Sequence, residues 1–250
     1  TNIMGTVNVL EAARGLNNLQ AIVNVTSDKC YENQEWPWGY RENEPMGGHD
    51  AYSSSKGCAE LVTSAYRNSF FATGASSVSI ATARAGNVIG GGDWGTDRLV
   101  PDLMRAFKAG ETALIRRPNA IRPWQYVLDP LAGYLLLAER LCAPGDAFDG
   151  AWNFGPNVSN EKPVKTLVEL ATDVWQDDAN WRIDTEASPH EAHYLKLDVS
   201  KSHAGLGWSA KLNLQQSVQR TVEWYRDWAE GGDMRVKTMA QIEDYFWGSE

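Results

Sequence analysis

Tyr52 stands four residues before Lys56, and upstream of both a β-branched run from Ala21 to Val25 ends in Thr26-Ser27-Asp28-Lys29. On a helix, positions i and i+4 share a face, so the Lys56 ammonium can sit beside the Tyr52 phenol. A cation next to a phenol favours the phenolate and makes it usable as a base towards a substrate hydroxyl. Hydroxyl side chains at the carboxyl end of a parallel strand point into the crevice where open α/β sheets bind ligands. Thr26 and Ser27 are therefore expected to face such a crevice, and with Asp28 and Lys29 beside them the site looks like one that also needs extra acid and base groups.

These residues need a strand end and a helix to carry them. The sequence predicts a helix over 2–14, a strand over 21–26, a helix over 51–71 and a strand over 78–83, an alternation that points to a parallel sheet with covering helices. The segment 31–50 is rich in Glu, Pro, Gly and Trp, and it is long for a connection, so it is expected to shape a site. Beyond Asn87 the pattern shortens: a glycine loop at Gly90–Gly92, helices near 99–109, 130–141 and 164–175, short strands near 113–116 and 151–154, and final helices over 214–229 and 234–246. A smaller lobe interleaved with the sheet is the expected arrangement.

The 250 residues, 43% hydrophobic and 10% aromatic, suffice for one large domain or two intimate lobes. A net charge of −9 argues against a nucleic-acid or anionic-membrane surface, so any phosphate site must be concentrated. Arg116, Arg117 and Arg122 offer such a concentration, and guanidinium forks suit a diphosphate. Three widely spaced cysteines fit reduced thiols in a cytoplasm, and no apolar leader or spanning stretch is visible. No metal site is expected, since His190 and His193 are three apart where a zinc helix motif needs four.

Nearly the whole chain resembles the extended short-chain dehydrogenase/reductases that act on nucleotide sugars. Within them it is most similar to the branch of 4,6-dehydratases that uses CDP-glucose. The resemblance rests on Asn2-Ile3-Met4-Gly5-Thr6, Thr26-Ser27-Asp28-Lys29-Cys30-Tyr31, Tyr52-Ser53-Ser54-Ser55-Lys56, Ala83-Arg84-Ala85-Gly86-Asn87-Val88-Ile89-Gly90-Gly91-Gly92-Asp93-Trp94, Ile121-Arg122-Pro123-Trp124-Gln125-Tyr126-Val127, Pro189-His190-Glu191-Ala192-His193-Tyr194 and Leu206-Gly207-Trp208. It implies an α/β fold: a partial Rossmann-like doubly wound parallel sheet with a smaller interleaved α/β substrate lobe. Residues 1–90 would be the carboxyl-side part of the dinucleotide-binding domain, and 91–250 mainly the nucleotide-sugar lobe with some segments returning to the sheet.

The resemblance further implies NAD as cofactor, with Tyr52, Lys56 and Thr26 beside it. Tyr52 would take the C4 hydroxyl proton, Ser27 or Thr26 would orient that hydroxyl, Asp28 would be the acid at the C6 hydroxyl, and Lys29 would occupy the place of the C5 base. A lysine base must be neutral, which the adjacent Asp28 opposes and desolvation would favour. Asn87, Arg122, Arg116, Arg117, His190, Glu191 and Tyr194 would hold the nucleotide sugar, with Trp36, Trp38 and Trp94 as possible stacking partners. Helices 2–14 and 51–71 would pair in a homodimer. The family's glycine-rich dinucleotide loop does not precede Tyr52, so the chain is expected to lack its first βα units and to bind NAD poorly alone. Two other readings share these residues: a nucleotide-sugar 4-epimerase or reductase, which needs no Asp28-Lys29 chemistry, and a non-catalytic nucleotide-sugar-binding fragment.

Overall fold

A computed structural model describes residues 1–71, 78–143, 148–185 and 194–248. These divide into two units, the first comprising Thr1–Gly86, Pro130–Gly155 and Leu195–Ser209, and the second Asn87–Asp129, Pro156–Tyr194 and Ala210–Glu250.

In the first unit, helix α1 (Asn2–Ala13) leads to strand β1 (Ala21–Val25), helix α2 (Ala51–Tyr66) and strand β2 (Ser79–Ala85). Strand β2 lies centrally, parallel to β1 on one side and on the other to a later strand, Gly150–Phe154, β7 in chain order. Register sets Asn24 beside Thr82 and Arg84 beside Asn153. Because side chains alternate along a strand, these four share a sheet face with Ile22 and Ile80. That face lies under α1 and α2, where Ile22 and Ile80 pack with Leu10, Ala13, Val62 and Phe71. Fully burying a side chain such as Ile80 contributes about 1.5–3 kcal/mol. Trp152 and Phe154 point the other way. Phe154 meets Gly133 of a helix over Leu128–Cys142 (α4) and stacks edge-on with Trp208 at 5.0 Å, while Trp152 lies against Gly205 of the short helix Ser200–Leu206 (α6). A β-carbon on Gly133 would fall 2.4 Å from the Phe154 ring, so only glycine lets α4 approach this closely.

Helix α2 starts where Asp50 accepts hydrogen bonds from the Ser53 amide at 2.9 Å and the Ser53 hydroxyl at 2.6 Å, an N-cap that satisfies an otherwise orphaned donor. The expected α-helix over 51–71 is α-helical only to Tyr66. It finishes as a wider π-turn, Arg67–Phe71, that carries Phe71 into the core. The expected strand over 78–83 begins at Ser79 and runs on through Ala85, because Arg84 is buried and paired, as described below.

In the second unit, helix α3 (Leu99–Ala109), helix α5 (Val164–Trp175) and helix α7 (Leu214–Ala229) enclose a core of Leu103, Met104, Phe107, Leu167, Val168, Val218 and Val222. Two-stranded ladders of two or three residues border it: Val88–Ile89 with Gln125–Tyr126, Ala113–Ile115 with Trp181–Ile183, and Ile121–Pro123 with Glu161–Pro163. Helix α8 (Met234–Trp247) follows α7. Among the described residues, no helix is long and apolar enough to cross a membrane.

Candidate functional site

The first unit brings together the turn after β1 and the first two turns of α2. Beyond Val25 the ladder continues for one more residue, the Thr26 amide donating to the Ala83 carbonyl at 2.8 Å. Ser27 is extended, and Asp28–Cys30 then wind into a 3₁₀ turn that the Ser27 hydroxyl oxygen caps by accepting from the Lys29 amide at 3.2 Å. The Ser27 hydroxyl itself donates to Asp28 Oδ1 at 3.0 Å. Asp28 is 2% exposed. It faces Gly86, where a β-carbon would lie 1.9 Å from Asp28 Oδ2. Burial pushes the nearby Tyr134 phenol above its usual range, and the negative charge of Asp28 adds to that rise, which keeps Tyr134 protonated beside the carboxylate. Lys29, by contrast, is exposed. The desolvation that a lysine base would need is therefore not supplied by this unit.

Helix α2 packs on this turn, with Gly57 set 3.3 Å from the Cys30 carbonyl oxygen at its ideal β-carbon position. On α2, Tyr52, Lys56 and Glu60 follow at four-residue intervals and so share one face. Lys56 Nζ lies 6.0 Å from the centroid of the Tyr52 ring and donates to the Val25 carbonyl at 3.5 Å. The ammonium is thus held between the phenol and the end of β1. The Tyr52 ring is half exposed, open to a ligand.

One turn further, Glu60 is only 5% exposed and accepts from Thr26 Oγ1, from Thr82 Oγ1 at 2.7 Å, and from Arg84 Nε and Nη2 at 2.9 and 2.7 Å. Burial opposes the charge on Arg84, but the hydrogen bonds and charge of Glu60 outweigh it and hold the guanidinium firmly protonated. Arg84 Nη1 donates onward to the Tyr31 hydroxyl and the Glu42 carbonyl, and Tyr31 donates to Asn153 Oδ1 at 2.7 Å. Strand alternation sorts the two adjacent hydroxyls: Thr26 falls on the face of Asn24 and turns to Glu60, whereas Ser27 falls on the other. Burial also pushes the Cys30 thiol up, away from thiolate chemistry.

In the second unit, the backbone of Ile121, the residue before Arg122, bridges to Tyr194. Arg122 is buried, with Nη1 donating to the Ile121 carbonyl at 3.0 Å. Arg116 is exposed and pairs with Asp97 at 3.5 Å, and Arg117 is half-buried. Asn87 adopts a left-handed backbone with φ 49°, a conformation asparagine tolerates better than most residues, and its carbonyl accepts from the Gln125 amide. His190 and Glu191 lie outside the described residues. Gly90 and Gly91 are packing glycines, their β-carbon positions 2.6 Å from Val127 and 2.1 Å from Trp224. Of the tryptophans, Trp94 is packed on Trp228, Tyr225 and Trp224, and Trp36 and Trp38 stack on each other at 5.0 Å.

Sequence reasoning passed over Glu60, Arg84 and Gly86. A signal existed for the pair: Arg84 interrupts an otherwise small and apolar strand, and a charge there requires a buried partner, which Glu60 supplies from α2. For Gly86 the need appears only once Asp28 is seen packed against it.

A family model described as GDP-mannose 4,6 dehydratase matches residues 1–221. A CDP-glucose 4,6-dehydratase of Salmonella typhimurium is 52% identical over 248 residues, 98% of this chain and 69% of that protein. A dTDP-D-glucose 4,6-dehydratase of Bos taurus is 23% identical over 229 residues, 90% of this chain and 61% of that protein. Among solved structures, a dTDP-glucose 4,6-dehydratase from Bacillus anthracis in complex with NAD superposes with a TM-score of 0.77 at 22% identity, covering 93% of this chain and 69% of that one. A UDP-glucuronic acid 4-epimerase from Bacillus cereus gives a TM-score of 0.77 at 16% identity, covering 91% and 68%. At these identities the structural likeness is one of fold, a Rossmann-type parallel sheet with an interleaved lobe.

Proposed function

The chain belongs to the GDP-mannose 4,6 dehydratase family, and from that premise we propose that it is the greater part of an NAD-dependent nucleotide-sugar 4,6-dehydratase acting on CDP-glucose. The observation that carries the reading is the Lys56 ammonium set between the Tyr52 phenol and the end of β1, next to the buried Ser27–Asp28 turn. CDP-glucose is favoured over other nucleotide sugars by the relative that is 52% identical.

Tyr52 accepts the proton of the sugar C4 hydroxyl, with the charge of Lys56 favouring the phenolate. Ser27 orients that hydroxyl, since its neighbour Thr26 is engaged by Glu60. NAD, held beside Tyr52, Lys56 and Thr26, would supply the hydride acceptor for C4 and the hydride donor for C6. Oxidation at C4 makes the C5 proton acidic. Asp28, in its protonated form, gives a proton to the C6 hydroxyl, which leaves as water, and Lys29 is the candidate to take the C5 proton. The product is a 4-keto-6-deoxy sugar. The half-exposed Tyr52 and the Lys56 donors fit the hydroxyl-bearing ribose end of a dinucleotide, and Arg122, Arg116, Arg117, Asn87 and Tyr194, with His190 and Glu191, are the candidates for the diphosphate and nucleoside.

A homodimer through α1 and α2 belongs to the same reading. Helices α1 and α2 pack side by side and leave Ile3, Met4, Val9 and Leu61 exposed, an apolar surface suited to a second copy. A cytoplasmic location is proposed from the cysteine usage alone.

The test is mass spectrometry of CDP-glucose incubated with the full-length protein and NAD⁺, with dTDP-glucose alongside. Loss of one water from CDP-glucose is the expected result, abolished by Asp28→Asn. Unchanged CDP-glucose would overturn the assignment, and full activity in Asp28→Asn would shift it to a 4-epimerase or reductase.

A further inference from the structure

The Glu60 carboxylate is saturated. A carboxylate offers about four acceptor sites, and here Thr26 at the end of β1 and Thr82 and two nitrogens of Arg84 on β2 fill them. Such a pair is weak evidence for stability, because replacing a buried ion pair by apolar residues of similar volume is often neutral or stabilising. Its consequence is geometric. Glu60 rides on the same face of α2 as Tyr52 and Lys56, and its carboxylate holds the hydroxyl of the residue just before Ser27. Lys56 adds a second polar link between this face and the strand end, a long contact at 3.5 Å.

We propose that Glu60, held by Arg84, is a positioning residue that fixes the spacing between the Tyr52–Lys56 face of α2 and the Ser27–Asp28 turn through the hydroxyl of Thr26. The role rests on the reading of Tyr52, Ser27 and Asp28 given above. Thr26 acts in it as the connector: its amide is tied to β2 at Ala83 and its hydroxyl to α2 at Glu60. With both ends tied, Ser27 is held where its hydroxyl caps the turn and donates to Asp28. Tyr31, Asn153 and the Glu42 carbonyl brace Arg84 from behind, so the guanidinium cannot swing away.

Glu60→Gln risks misfolding, because an amide nitrogen would face donors, so the decisive variants are Thr26→Val and Thr26→Ser. Val keeps the volume and removes the hydroxyl, whereas Ser keeps the hydroxyl. In the full-length enzyme, Thr26→Val is expected to lower kcat for CDP-glucose dehydration roughly tenfold or more with KM little changed, as loss of a hydrogen bond to a charged group would allow, and Thr26→Ser should restore it. Amide exchange of segment 26–31, followed by mass spectrometry, should accelerate roughly tenfold in Thr26→Val and stay at the wild-type rate in Thr26→Ser. A purely structural role predicts instead a lower Tm with kcat of the folded enzyme unchanged, and that result would overturn the proposal. So would unaltered exchange in Thr26→Val. If the wild type fails to dehydrate CDP-glucose, the function assigned above falls, and the exchange experiment still decides whether Glu60 fixes the turn.

Discussion

Replacing Gly86 with alanine should separate the two chemical halves of the reaction. An alanine β-carbon would sit 1.9 Å from Asp28 Oδ2 and 2.3 Å from its Cγ, where real β-carbons essentially never come within 3.0 Å. The carboxyl group must therefore retreat by at least about 1 Å, the scale of misplacement that costs on the order of 100-fold in rate. Asp28 is buried and its turn is packed under α2, so the retreat is opposed, and overpacking of this kind costs about 1–3 kcal/mol. For a chain of this size that corresponds to a fall in Tm of roughly 2–12 °C. The assay is rapid mixing of full-length Gly86→Ala with CDP-glucose, following reduced nicotinamide by absorbance and water loss by mass spectrometry. C4 oxidation, which uses Tyr52, should proceed at close to the wild-type rate, while water loss slows about 100-fold and reduced cofactor accumulates. Wild-type Tm together with wild-type water loss would refute the reasoning, for it would mean that Asp28 is neither held tightly nor needed where it sits.

Tyr52→Phe should reduce turnover by about 10²–10⁴-fold, the usual contribution of a positioned base, with Tm unchanged because the ring is half exposed; steady-state kinetics and a melting curve check both halves. Asp50→Ala should cost about 1 kcal/mol through loss of the α2 cap. Hydrogen bonds from the Ser53 hydroxyl and then its amide hold the Asp50 carboxyl below the ordinary value. A lowered folded-state pKa stabilises above the unfolded value and is lost as pH falls through the folded one, so the wild-type advantage over Asp50→Ala should be full at neutral pH and shrink below about pH 4. Denaturant titrations at several pH values would show it; a gap that widens on acidification would contradict the cap. Gly91→Ala, which drives a β-carbon to within 2.1 Å of Trp224, should destabilise the second unit by about 1–3 kcal/mol, visible as altered Trp fluorescence on unfolding.

Helices over 99–109, 164–175 and 214–229 begin and end where the sequence places them, because each carries a wide apolar stripe, to which the first and last add a terminal signal. Gly110 closes α3 in a left-handed turn at φ 68°, and Asn213 and Gln216 cap α7 reciprocally. Val88–Ile89 and Ile121–Pro123 are too short to carry a period and were not legible, whereas the equally short Ala113–Ile115 falls within the expected strand at 113–116. At the site, the spacing of Tyr52 and Lys56 was readable since helical geometry fixes it locally. The division of labour between Thr26 and Ser27 was not, because it depends on Glu60 and Arg84, which meet only when α2 and β2 pack. Asp28 and Lys29, adjacent in sequence, prove opposite in setting, one buried and one exposed, which only the 3₁₀ turn decides.

The way the chain shuttles between the two units has a consequence for how the protein comes to exist. Tyr31 meets Asn153 across 122 positions, and the first unit gathers its last stretch, Leu195–Ser209, only after most of the second has been made. A nascent chain leaving the ribosome with its amino end first thus carries the turn of Ser27 and Asp28 long before Asn153 arrives to brace Arg84. Distant pairings of this kind close slowly and expose apolar surface meanwhile. Synthesis that pauses before Asn153 should yield a chain with α1 and α2 formed but the reactive turn still loose, the stage at which chaperone binding matters most.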